Sequence, residues 1–416
     1  MRRYIPRYGF VATTILSSVA TFIKSFFFMD ILSKGELGKL ALFQSVIIFV
    51  TFLQIGILHG GYRLISLSIL RQKRVNNAVA TYLFILFFLL LICFLIARFL
   101  FNIDWIWLIG VFIGLASLFS GWNSNMHIAL GRTNKISLIT LCSIILSLCL
   151  IPSLYALSFY GAVLVIALQP VLISLFSYIF NKDFNLKISF NNKFKLYFYY
   201  CIKIGFIPFI TSVLHYINLQ IERWIIGADL GIVELGNYYL VFVYVSFFSL
   251  IPGAIGTLNF PKLMKLIAPN NNIKKKLIRE FKFYYLELVS FLVLMFFATF
   301  YLLPIIVDEL IPQFSSGVQY VYIVFYGLVF FTLIDPISFI INAKLHYREL
   351  VQIYIFSVLM SIICYWYIFS NGIGSLLNYS YVNLVFYISI SLGYVIYYFF
   401  KGKKSLNFDN IKITQR

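Results

Sequence analysis

The chain has 416 residues, of which 62% are hydrophobic and only 11% charged, and its formal net charge is +19. A water-soluble domain carries about a quarter charged residues, so the composition excludes an aqueous fold and makes a lipid bilayer the solvent. The positive balance suits nucleic acid or an anionic membrane surface, and only the placement of the charges separates the two.

Crossing the hydrocarbon takes about 20 mainly apolar residues of helix. Twelve segments qualify. The first, 8–29, follows a basic start, "MRRYIPR", as a signal peptide would. Its apolar run reaches spanning length without a small-residue cleavage site, so it reads as a retained first span. The others are 39–58, 78–99, 105–128, 136–157, 160–180, 198–221, 236–258, 283–307, 317–341, 350–369 and 379–400. None alternates polar with apolar residues as the strands of a membrane barrel do. The expected fold is an all-α polytopic membrane protein.

Of the 33 basic residues, all but Lys24, Lys34, Lys39, Arg98, Lys203 and Arg223 lie at the two termini or in even-numbered connections. They include Arg2, Arg3 and Arg7 at the start, Arg132 and Lys135 in the fourth connection, and Lys182, Lys187, Lys193 and Lys195 in the sixth. Lys274, Lys275 and Lys276 lie in the eighth, Lys344 and Arg348 in the tenth, and Lys403, Lys404, Lys412 and Arg416 in a short basic tail. Basic loops stay in the cytoplasm, so both termini are expected there. One span more or fewer would scramble the alternation. The net charge is thus a topology signal, and nucleic acid is not an expected partner.

The stretch "ELGKLALFQSVIIF" at 36–49 has an echo, "ELGNYYLVFVYVSFF", at 234–248. Aligned without gaps, 31–58 and 229–256 share Leu32/Leu230, Glu36/Glu234, Leu37/Leu235, Gly38/Gly236, Leu42/Leu240, Phe49/Phe247 and Ile57/Ile255. Chance in so biased a composition supplies roughly two or three such pairs. Upstream, "YGF" at 8–10 faces "IGF" at 204–206. Spans one and two therefore resemble seven and eight, which predicts two six-helix bundles, 1–197 and 198–416, in parallel repeat. In this reading Glu36 and Glu234 sit at helix N-termini, where the dipole favours a carboxylate. Gly38 and Gly236 are packing residues.

Chemistry of the catalytic kind finds little footing. "GELGK" and "KGKKS" lack the spacing of a phosphate-binding loop. His59, His127, His215 and His346 form no metal pattern, and Cys93, Cys142, Cys149, Cys201 and Cys364 read as small core hydrophobes. No metal or cofactor is expected. The external connections are short, with Asp308–Glu309 their only adjacent acid pair, so an enzyme is disfavoured.

Polarity inside the spans is more informative. Thr13, Ser17 and Lys24 follow spacings of four and seven, which share one helix face. His215, Asn218 and Glu222, spaced by three and four, form a similar stripe in the seventh span, with Arg223 beside it. Lys24 and Glu222–Arg223 fall at equivalent points of the repeat. Ionisable residues within a membrane are expensive and usually face a bundle interior or water. The alternative is that Lys24 and Arg223 snorkel to the outer boundary. Glu287 is expected to pair with nearby lysines, and Asp335 to cap a broken helix before Pro336. Gln169–Pro170 and Pro208 mark kinks.

The segment "KIGFIPFITSVLHYINLQIERWIIGADLGIVELGNYYLVFVYVSFF", with a later "FPKLMK", resembles the polysaccharide-transporter branch of the multidrug/oligosaccharidyl-lipid/polysaccharide (MOP) exporter superfamily. The resemblance rests on the acid–Arg pair Glu222–Arg223, the turn Leu235–Gly236–Asn237–Tyr238 and Pro261–Lys262. The common form has Asp before Arg, so Glu222 departs from it. Proteins of this branch are similar to O-antigen flippases of the Wzx type. The resemblance implies a transporter of the bacterial inner membrane that works by alternating access. Its cargo would be an undecaprenyl-diphosphate-linked oligosaccharide on its way to lipopolysaccharide or a related polysaccharide. Lys24 and Arg223 would then supply charge to the diphosphate, with Glu222 beside them. Thr13, Ser17, His215 and Asn218 would supply hydrogen bonds. Membrane lipids are the other partners, and coupling to protons or to sodium stays open. Two other readings stay in play: a cation-coupled drug or small-solute antiporter of the same superfamily, and a membrane glycosyltransferase or polymerase. Antiporters for cationic drugs often carry a carboxylate in the first span, where this chain has Lys24 and no acid before Asp30.

Overall fold

A computed structural model of the chain describes residues 5–180, 188, 190, 192–267, 274–343 and 347–402. Among these no strand occurs, and every regular element is helical. In order they are α1 (Ile5–Ile31), α2 (Lys34–Phe52), α3 (Ile57–Leu67), α4 (Gln72–Phe101), α5 (Trp105–Ala129), α6 (Thr133–Cys149), α7 (Ser153–Leu157) and α8 (Phe159–Phe180). There follow α9 (Asn192–Asp229), α10 (Ile232–Asn237), α11 (Tyr239–Ile267), α12 (Lys274–Phe297), α13 (Leu303–Leu310), α14 (Val318–Ala343), α15 (Tyr347–Ser370) and α16 (Leu376–Tyr397). Among the described residues, 10 segments are long and apolar enough to cross a membrane. The 17-residue α6 is shorter but apolar, and α1 is 27 residues long. The protein is an all-α, multi-pass membrane protein. Each of the twelve expected spans falls on helix. Arg2, Arg3, Lys182, Lys187, Lys344, His346, Lys403, Lys404, Lys412 and Arg416, part of the orientation pattern and of the histidine set, lie outside the described residues.

Two spans are more broken than their composition suggests. The second, expected to run through 39–58, stops at Phe52 and resumes at Ile57. Between them Ile55 (φ 47°) and Gly56 (φ 81°) are left-handed. That conformation costs a β-branched residue about 1–2 kcal/mol, so tertiary contacts must hold it. Two are visible. The Tyr82 hydroxyl donates to the Leu53 carbonyl, and the backbone of Gly205 in α9 lies where a Cβ on Gly56 would go. The fifth span likewise ends at Cys149, and α7 is a separate turn of helix. Conversely, α14 runs through Pro336 without a break. Asp335 is therefore no cap; it accepts from the Tyr284 hydroxyl at 2.5 Å and the Ser338 hydroxyl at 3.2 Å. Glu287 takes the Asn259 amide at 2.7 Å and makes no lysine ion pair among the described residues. Pro170 and Pro208 also lie inside continuous helices.

Two compact units divide the chain. The first comprises Met1–Gly227 with Ile232–Gly236, the second Ala228–Gly231 with Asn237–Arg416. In the first, α5 packs on α2, α3 and α8, and α6 packs on α1 and α8. Its core gathers Ile57, Leu64, Val75, Val79, Leu118, Trp122 and Met126, with the Trp122 indole donating to Asn76 at 2.8 Å. In the second, α14 and α16 form the centre. The Tyr244 hydroxyl and Thr299 share a hydrogen bond of 2.6 Å, as do Tyr238 and Ser380 at 3.1 Å. The Tyr379 hydroxyl donates to Asp229 at 2.6 Å.

Candidate functional site

The turns at Gly38 and Gly236 show why the sequence repeats there. The first turn opens α2 on a capping box: the Ser33 hydroxyl accepts from the Glu36 N–H while the Glu36 carboxylate accepts from the Ser33 N–H. Glu36 also accepts from Ser158 at 2.7 Å. One turn in, a Cβ on Gly38 would overlap the carbonyl oxygen of Ile232, the first residue of α10. A Cβ on Gly236 would overlap the carbonyl oxygen of Lys34, the first residue of α2. In the gapless alignment Lys34 pairs with Ile232, so the two copies make one reciprocal contact. The turn is scaffold. It sets backbone against backbone in the manner of small residues between membrane helices.

Lys24 lies on α1 about two turns before that helix ends at Ile31 and is 7% exposed. Its ammonium donates to the Gln169 side-chain oxygen of α8 at 3.0 Å. Among the described residues no carboxylate lies within ion-pair distance of it. Ser17, one face with Lys24, is half-buried and its carbonyl accepts from the Thr21 hydroxyl at 2.9 Å. Thr13 is half-buried further along the same helix.

In α9, Asn218 and Glu222 are 0% exposed and Arg223 is 7% exposed, while His215 is half-buried and meets the Tyr216 ring edge-on at 5.2 Å. Arg223 Nη1 donates to the Ala41 carbonyl of α2 at 3.2 Å. That oxygen also receives the buried Ser45 hydroxyl at 3.3 Å. Just upstream, the Pro208 carbonyl accepts from Thr211 at 2.8 Å and Ser212 at 3.1 Å. The stripe that spacing predicts on α9 is a buried one.

Both cations are thus buried and bonded to partners on other helices. Each has its own partner, and they are not paired with one another's. Sequence alone does not mark these partners. Gln169 stood beside a proline and read as a kink marker; the legible signal was an uncharged amide in an otherwise apolar span. The Ala41 carbonyl had no signal at all, because any residue supplies one. For Lys24 the energetics are unbalanced. Desolvating an ammonium costs several kcal/mol, and a hydrogen bond to a charged group returns about 1.5–3 kcal/mol.

No protein-family model and no curated protein sequence matches the chain. Solved structures do. An inward-facing multidrug resistance MATE-family transporter of the MOP superfamily aligns over 95% of this chain and 96% of its own, with TM-score 0.69 and 14% identity. A MOP-superfamily transporter from Pyrococcus furiosus, described as having a binding pocket of reverse polarity that suggests a different function, aligns over 97% and 94%, with TM-score 0.64 and 13% identity. The lipid II flippase MurJ in an inward closed conformation aligns over 92% and 86%, with TM-score 0.61 and 16% identity. The chain has the fold of the MOP-superfamily transporters.

Proposed function

We propose that this protein is a flippase of the bacterial inner membrane. Its cargo is an undecaprenyl-diphosphate-linked oligosaccharide, the O-antigen or a related repeat unit, moved from the cytoplasmic to the periplasmic leaflet by alternating access. The observation that carries this reading is Lys24, a cation buried in a membrane helix with a neutral partner and no carboxylate at ion-pair distance among the described residues. A diphosphate bearing sugars cannot cross hydrocarbon unaided. It would supply the missing negative charge while its lipid tail stays in the bilayer. Arg223 adds a second cation, and Thr13, Ser17, His215 and Asn218 offer hydrogen bonds to phosphate or sugar. A structural neighbour that bears the name lipid II flippase supports a lipid-borne cargo on this fold. Positive-inside placement of the basic connections leaves both termini in the cytoplasm.

Complementation of a flippase-null strain tests this reading. The wild-type chain should restore surface polysaccharide. Lys24→Gln and Arg223→Gln should abolish it at unchanged membrane abundance, while Lys24→Arg should retain it. Full complementation by both Gln variants would remove the cationic site from the mechanism.

One observation favours a cation-coupled antiporter instead. Asp335 is a carboxylate inside α14 whose described partners are the hydroxyls of Tyr284 and Ser338, and a membrane carboxylate suits a proton or cation. Drug resistance conferred by the wild-type chain and lost in Asp335→Asn, without polysaccharide complementation, would select that reading.

A further inference from the structure

Gln169 differs from glutamate by one atom, and that atom decides the charge of its surroundings. A lysine ammonium carries three N–H donors. In Lys24 one of them is taken by the Gln169 oxygen at 3.0 Å, and no other described residue accepts the remaining two. The helices around this pair bring no opposing charge. The α8 stretch "FYGAVLVIALQPVLISLF" holds no charged side chain, and in α6 the one charged residue is Lys135. On α1 itself the acid is Asp30, near the end of the helix and exposed. Elsewhere in the first unit Glu36 is held by Ser33 and Ser158, Asp104 stands at the N-cap of α5, Glu222 is buried on α9, and Glu234 lies in the first turn of α10; none of them forms an ion pair with Lys24.

A glutamate at this position would form an ion pair with Lys24 that is neutral overall. Such a pair has little to offer an anion. The amide does the opposite: it fixes where the ammonium points and leaves the positive charge undiminished, with two donors to spare. We propose that Gln169 is a positioning residue that sets the selectivity of the Lys24 site for phosphate-bearing anions. The proposal rests on the reading of Lys24 as the cargo's cation.

The test uses the full-length protein in detergent and two probes, farnesyl diphosphate and uncharged farnesol, with thermal stability followed in parallel. Wild type should bind the diphosphate in preference to the alcohol. Gln169→Glu should lower diphosphate affinity by at least about tenfold, the size of one charge-assisted contact, and leave farnesol binding unchanged. The exchanged pair Lys24→Gln with Gln169→Lys returns a cation to the same place from the opposite helix and should recover most of the diphosphate binding that Lys24→Gln loses. If Gln169→Glu binds diphosphate as wild type does while Lys24→Gln fails, the role of Gln169 is overturned and the flippase reading stands. If Lys24→Gln itself binds diphosphate normally, the flippase reading fails first. Should Gln169→Glu not fold, the exchanged pair decides: a stable double variant without recovered binding overturns the proposal.

Discussion

The turns at Gly38 and Gly236 hold matching places in the two copies of the repeat, and so do Lys24 and the Glu222–Arg223 pair. The first match is kept in contact as well as in identity. Each glycine lies against the backbone of the residue that starts the other copy's helix. The second match is kept in position only. Lys24 leans on a side-chain amide, Arg223 on a main-chain carbonyl. The physical reason is that backbone-to-backbone contact leaves no room for any side chain, so both turns face the same demand. A buried cation answers to whatever stands opposite, and α8 and α2 stand opposite differently. Within the first unit the symmetric parts are close backbone contacts, and the asymmetric parts are the surroundings of the two buried cations.

Breaking the scaffold should give the largest effect. Leucine at Gly38 or at Gly236 must displace a carbonyl of the partner turn, and overpacking of this kind costs about 1–3 kcal/mol or more. Both variants should lose most of their folded protein in the membrane, by similar amounts. Leucine at Gly35, whose Cβ would meet nothing within 4 Å, should accumulate normally. Fluorescence-detected size-exclusion chromatography reads all three. A heavy loss at one glycine and none at the other would mean that the contact is not reciprocal.

A smaller effect sharpens the comparison. The first turn is closed by the Ser33 capping box, whereas the aligned residue in the second copy is Gly231, left-handed at φ 90°. Ser33→Ala removes one cap, worth about 1 kcal/mol. A modest fall in thermal stability with full transport is expected. Lost transport at unchanged stability would place Ser33 in the mechanism and not in the scaffold.

The sequence was most legible where physics acts through long averages. Hydrophobic length placed every span on helix, because a membrane demands the same thing of each of them. Local events were harder. The break at Leu53–Gly56 follows from Gly205 crossing at that height, a tertiary fact that no window of residues contains. The uninterrupted α14 shows the converse: Pro336 removes one donor, but neighbouring helices and the Ser338 hydroxyl support the turn. At the site, the ionisable residues stood out because charge is rare in these helices. Their partners did not, since an amide in α8 and a carbonyl in α2 become special only once the chain is folded.

The most direct test of the flippase assignment is transbilayer movement in proteoliposomes. A fluorescent, undecaprenyl-diphosphate-linked oligosaccharide is placed in both leaflets, and its accessibility to a membrane-impermeant quencher is followed. Wild-type protein should expose the inner-leaflet pool within the assay, and Lys24→Gln, reconstituted to equal density, should leave it protected as in protein-free vesicles. Movement by Lys24→Gln at the wild-type rate, or no movement by the wild type while it exports a cationic dye, would contradict it.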